Sequence, residues 1–100
     1  MEKFNDMIKG TTPVLVDFFA TWCGPCKMMH PVLEDLKKQM GDSIHILKLD
    51  VDAPANREMA TGYQIQSVPT LMIFKEGKML WRQSGVATAA QLKEILAKYL

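Results

Sequence analysis

The run Val14-Leu15-Val16-Asp17-Phe18-Phe19-Ala20 constrains the fold more than any other stretch. It is rich in β-branched and aromatic residues, and its apolar side chains fall on both faces of a period-two strand. Such a strand belongs in the middle of a sheet that is covered on both sides. A helical pattern begins just after Trp22, with Cys26, Met29, Leu33, Leu36 and Met40 on one stripe and Gly41 as its stop. Pro31 lies inside that pattern, where the loss of a backbone donor predicts a kink.

The remaining segments follow by the same rules. Phe4, Met7 and Ile8 have helical spacing ahead of Gly10. Ile44–Val51 reads as a second strand, and residues 52–61 as a loop and short helix around Ala55 and Met59. Strands at Thr70–Phe74 and near Met79–Gln83 are joined by Lys75-Glu76-Gly77-Lys78, which predicts a hairpin and hence an antiparallel pair. Thr88 and Gln91 form a capping box for a last helix whose buried stripe is Leu92, Ile95, Leu96 and Tyr99. The order predicts an α/β fold: a mixed sheet of about four strands with helices on both faces.

Composition narrows the function classes. One hundred residues, 48% of them hydrophobic and 23% charged, suit one globular domain over residues 1–100 and argue against disorder. A net charge of +1 with scattered Lys and Arg gives no footprint for nucleic acid. No apolar run approaches the roughly 18–20 residues of a membrane span. Met1 to Gly10 lacks the apolar stretch of an export signal, so a cytoplasmic location is expected.

The two cysteines, Cys23 and Cys26, lie in one C-x-x-C at the strand-to-helix junction. A disulfide closing so short a loop adds little by chain entropy, so a chemical role is favoured over stapling. The first sulfur falls at a helix N-terminus, where free backbone N–H groups and the helix dipole favour a thiolate. Cys23 is therefore the expected nucleophile. Cys26, one turn later on the inward stripe, is the expected resolving thiol. Gly24 permits close approach of another chain, and Pro25 fits the first helical turn. A zinc site on Cys23, Cys26 and His30, with His45 or an aspartate as fourth ligand, lacks the second C-x-x-C that structural zinc usually uses. His30 and His45 read as a helix-surface and a strand residue, and most of the eight methionines as core.

Trp22-Cys23-Gly24-Pro25-Cys26-Lys27, preceded by Val16-Asp17-Phe18 and followed by Val68-Pro69-Thr70, resembles the thioredoxin family across essentially the whole chain. The resemblance implies a thioredoxin-like fold and a protein disulfide reductase that binds no cofactor or metal beyond its own Cys23–Cys26 disulfide. Disulfide-containing proteins are the implied substrates, and a separate NADPH-dependent thioredoxin reductase restores the dithiol. A monomer is expected. From position alone, Asp17 is either a buried proton acceptor or a strand-end aspartate. The resemblance assigns it the proton relay to Cys26, and places Lys48 beside it, where an exposed strand lysine is the other reading. Pro69 is implied to be cis, with Val68 offering its backbone to a substrate strand. Trp22, Gly24, Pro25, Val68, Gly85 and Val86 would form the apolar rim that substrates meet. The family's usual first strand has no counterpart ahead of the first helix, which leaves Ile44–Val51 as a sheet edge. Phe19 stands where the family often has a second tryptophan.

Overall fold

The computed structural model describes residues 2–100. Helix α1 (Glu2–Ile8) leads into β1 (Val14–Phe19), α2 (Gly24–Met40), β2 (His45–Asp50), α3 (Arg57–Gly62), β3 (Thr70–Lys75), β4 (Lys78–Ser84) and α4 (Ala89–Ala97). Single 3-10 turns at Gly41–Ser43 and Pro54–Asn56 precede β2 and α3.

The strands form one four-stranded sheet in the order β2-β1-β3-β4. β1 pairs parallel with β2, Asp17 standing opposite Lys48, and antiparallel with β3. The β3–β4 hairpin turns on Glu76 and Gly77, both at positive φ (54° and 81°). Two left-handed residues in a two-residue connection match the right-handed twist of the strands they join.

Strand alternation divides the core into two layers. Val14, Val16 and Phe18, with Met72 and Phe74 of β3, pack on Phe4, Ile8 and Met59 from α1 and α3. Leu15, Leu71 and Ile73 face the other way, onto Met29, Leu33 and Leu36 of α2 and Leu92 and Leu96 of α4. β1 is buried almost throughout because both layers use it, as its two-faced sequence demands. β2 lies at the sheet edge and is half-exposed.

Helix α2 continues as one element through Pro31. The Thr88–Gln91 capping box is complete: Thr88 Oγ1 accepts from the Gln91 N–H at 3.1 Å, and Gln91 Oε1 accepts from the Thr88 N–H at 2.9 Å. Two expectations need correction. Tyr99 lies beyond α4, which ends at Ala97, yet it still packs, half-buried, on the same core layer as Leu92 and Leu96, and it donates its hydroxyl to the Leu80 carbonyl. His30 is half-buried, not a plain surface residue. Its ring stands edge-on to Phe19 at 5.5 Å, and its Nδ1 is buried with no partner in the protein.

Candidate functional site

The reactive pair sits where β1 hands over to α2. Cys23 is the N-cap of α2, in extended conformation, and its side chain accepts the Cys26 N–H at 3.1 Å. An orphan donor of the first turn thus points at the sulfur, together with the positive end of the helix dipole. Both favour negative charge at this position. Cys23 and Cys26 are joined as a disulfide, with Cα atoms 5.2 Å apart. Cys23 is 4% exposed and Cys26 is fully buried, so an incoming molecule meets Cys23 first. Pro25 occupies the first turn of α2, and a Cβ built on Gly24 would meet nothing within 4 Å, which leaves that side open to a partner chain.

The wall facing the sulfurs comes from the loop before β3. The Val68–Pro69 peptide bond is cis. The Val68 carbonyl oxygen lies 3.6 Å from Cys23 Sγ. Thr70, fully buried, holds this loop by donating its hydroxyl to the Ser67 carbonyl at 2.7 Å. Gly85 completes the wall, its N–H bonded to the Pro69 carbonyl at 2.8 Å. The φ of +93° at Gly85 lies in the region that L side chains avoid, which accounts for a glycine there. Val86, the next residue, is half exposed.

Trp22 is 70% exposed and therefore no part of the core. Its indole Nε1 donates to Asp52 Oδ2 at 2.8 Å, which fixes the ring against the end of the β2 connection. Asp52 escaped the sequence reading because it lies 30 residues from Trp22 in a polar loop with no pattern of its own.

Asp17 points to the α2 face of β1, by its parity with Leu15. It is fully buried, and neither carboxylate oxygen has a hydrogen-bond partner in the protein. Burial pushes its pKa up from 3.8 to about 6, against an opposing pull from the Lys48 ammonium. Lys48 is exposed on the neighbouring edge strand, directly across from Asp17. Both readings of this lysine thus hold part of the truth: it is a solvated strand residue whose charge still reaches the carboxyl. Among the described residues no three His, Cys, Asp or Glu side chains converge as a metal site.

A family profile described as thioredoxin matches residues 1–98. The chain belongs to the thioredoxin family. A thioredoxin-like protein of Synechocystis is 48% identical over 100 residues, which cover 98% of this chain and 92% of the relative. The thioredoxin of Mycolicibacterium smegmatis is 46% identical over 92 residues, covering 91% and 82%. Among solved structures, a mutant thioredoxin of Halobacterium salinarum superposes with a TM-score of 0.88 at 34% identity, covering 99% of this chain and 84% of its own. A Mycobacterium leprae protein named bifunctional thioredoxin reductase/thioredoxin is 45% identical over 89 residues, covering 89% of this chain and 19% of the relative. The thioredoxin fold and a C-x-x-C pair at disulfide distance make this chain a thiol–disulfide oxidoreductase. Thioredoxins work through their own redox-active disulfide, here Cys23–Cys26.

Proposed function

We propose that residues 1–100 form a single thioredoxin domain that acts as a monomeric, cytoplasmic reductant of protein disulfides, with Cys23 as nucleophile and Cys26 as resolving thiol. The observation that carries the division of roles is the Cys26 N–H directed at Cys23 Sγ, with Cys23 the more accessible sulfur. In the reduced protein the Cys23 thiolate attacks one sulfur of a substrate cystine. The substrate's other sulfur leaves as a thiolate and takes a proton. Cys26 then loses its proton and attacks Cys23 Sγ. That step breaks the mixed disulfide, frees the second substrate thiol and leaves Cys23–Cys26 oxidised.

Asp17 is the proton acceptor for Cys26 in this scheme. A carboxyl held near pKa 6 is a better base than an ordinary aspartate while staying largely ionised at neutral pH. Lys48 opposes the upward shift and so keeps the acceptor charged. The rim of Trp22, Gly24, Pro25, Val68, Pro69, Gly85 and Val86 receives the substrate. Exposed Trp22, the open space at Gly24 and half-exposed Val86 support that reading. The electrons come from a separate NADPH-dependent thioredoxin reductase. The relative that carries reductase and thioredoxin in one polypeptide supports this partner. A cytoplasmic setting agrees with the reducing direction of the chemistry.

The test is a redox titration of Cys23/Cys26 in dithiothreitol buffers, read by thiol alkylation and intact mass. A midpoint well below the glutathione poise is expected. A much higher midpoint would make the chain an oxidant or isomerase, and failure to form the disulfide at all would end the redox reading.

A further inference from the structure

Asp17 is fully buried, so a proton that it takes from Cys26 has no direct exit to water. The exit lies at the seam where α2 crosses β1 and β2. Asp17 and Phe19 share the α2 face of β1, and the parallel register sets Lys48 beside the first and Asp50 beside the second. His30 lies on the flank of α2 that faces β2. Lys37, two turns further along the same flank, reaches the Ile44 carbonyl at 2.7 Å. One turn after Cys26, the His30 ring stands edge-on to Phe19 at 5.5 Å, and Phe19 packs against Cys26 in turn. Among the described residues, the buried side-chain nitrogen and oxygen atoms without a partner are both Asp17 oxygens and His30 Nδ1, and all of them belong to this seam. The other imidazole nitrogen, Nε2, is not buried and meets solvent.

We propose that His30 relays the Cys26 proton between Asp17 and solvent, its Nδ1 serving the buried carboxyl and its Nε2 the water outside. The inference rests on the disulfide-reductase reading, with Asp17 as acceptor, and adds the path by which that acceptor is discharged. When Cys26 attacks the mixed disulfide, its proton goes to the Asp17 carboxylate. The carboxyl then protonates His30 Nδ1, and the imidazolium releases its Nε2 proton to water. Reduction of Cys23–Cys26 by a partner dithiol runs the path backwards. Nε2 takes a proton from water, Nδ1 gives one to Asp17, and Asp17 protonates the departing Cys26 thiolate. The two half-cycles together restore the starting tautomer, so the ring need not turn over. The charged groups that face His30 are Asp17 from β1, Lys48 and Asp50 from β2, and Lys27 and Glu34 one turn away on α2. Lys48 and Lys27 carry ammonium groups, which have no lone pair to accept a proton. Asp50 is turned to the Asp52 N–H at 2.9 Å, and Glu34 is exposed on the helix surface. His30 alone spans the seam with one nitrogen inside and one outside.

The experiment mixes the reduced chain with an excess of a symmetric disulfide dimer of a short Gly/Ser peptide that carries one cysteine. Acid quenching and intact mass follow the mixed disulfide on Cys23, so its formation and its decay are read separately. The chains compared are the wild type, His30→Ala, His30→Phe, Asp17→Asn and the double variant of His30→Ala with Asp17→Asn. His30→Phe keeps an aromatic ring against Phe19, which separates proton transfer from packing. Formation should be alike in the wild type and both His30 variants. Decay should slow by about tenfold in both, less than the ~100-fold of a direct proton acceptor, because Asp17 still takes the first proton. Added imidazole should restore most of the lost rate in His30→Ala, where the space of the ring is open, and little in His30→Phe. Beside Asp17→Asn, His30→Ala should cost less than about twofold, since the relay then has no proton to carry. Unchanged decay in both His30 variants overturns the relay while the reductase reading stands. So does a loss that imidazole leaves unrestored and that persists beside Asp17→Asn, which makes the histidine a packing residue. Slower formation in the His30 variants also overturns it, since the substitution then acts on Cys23. Decay at the wild-type rate in Asp17→Asn removes the acceptor, and the relay with it. A wild-type chain that forms no mixed disulfide defeats the underlying reductase reading, and the relay falls with it.

Discussion

An Asp17→Asn variant should gain stability relative to the parent chain as pH rises from about 4 through about 6, and the gain should level off above that. Burial raises the carboxyl from 3.8 to about 6, so the folded protein holds the Asp17 proton over a range in which the unfolded chain has released it. Stability therefore falls as pH rises from the unfolded value through the folded one, and the loss is complete above the folded pKa. At about 1.4 kcal/mol per pKa unit, the ionised carboxylate costs the native state about 3 kcal/mol at neutral pH. Asparagine keeps the shape and cannot ionise, so it removes this cost. It also leaves a buried amide without partners, a pH-independent penalty of about 1–3 kcal/mol. The diagnostic quantity is consequently the pH dependence of the difference between the two proteins. Urea unfolding of both oxidised proteins between pH 4 and 8, with matched m-values, measures it directly. The difference should grow by about 2.5 kcal/mol in favour of asparagine across that range. Parallel stability curves would show that Asp17 titrates normally, and the case for it as a proton acceptor would fall with that result.

Four further outcomes are expected. Lys48→Met removes the charge that opposes burial, so Asp17 should titrate above about 6, seen by NMR titration of the Asp17 carboxyl carbon; an unchanged midpoint would show that the ammonium does not reach it. Asp52→Ala breaks the Trp22 hydrogen bond, and because the pair is exposed the stability cost should stay under about 1 kcal/mol; the indole should instead show faster local motion by fluorescence anisotropy. Gly85→Ala forces a side chain into φ +93° with no steric neighbour, so a backbone cost of about 1–2 kcal/mol should appear in chemical unfolding, and a neutral result would show that the loop relaxes. Thr88→Ala removes half of the capping box and should lower stability by about 1 kcal/mol, independent of redox state.

The layout of the fold and the chemistry of its centre were legible in local patterns along the chain. β1 was legible because a strand buried on both faces must carry apolar residues at consecutive positions, and α2 and α4 because their stripes repeat at helical spacing. The hairpin announced itself through Gly77, and Cys23 through a C-x-x-C at a strand–helix junction. These are local signals, in which the residues that cause the structure are close together in the chain. Tertiary structure decided everything that depends on residues far apart. Trp22 meets Asp52 only because the β2 connection returns beside α2, and Asp17 meets the field of Lys48 only through the parallel register of β1 and β2. The burial that lifts the Asp17 pKa is a property of two packed layers, so no spacing rule along the chain could supply it. His30 and Met28 show the same limit on one helix, where periodicity locates a face but only the neighbouring elements decide whether that face is covered. Phe19 half-covers the first, whereas the gap between α2 and Val86 leaves the second in the open.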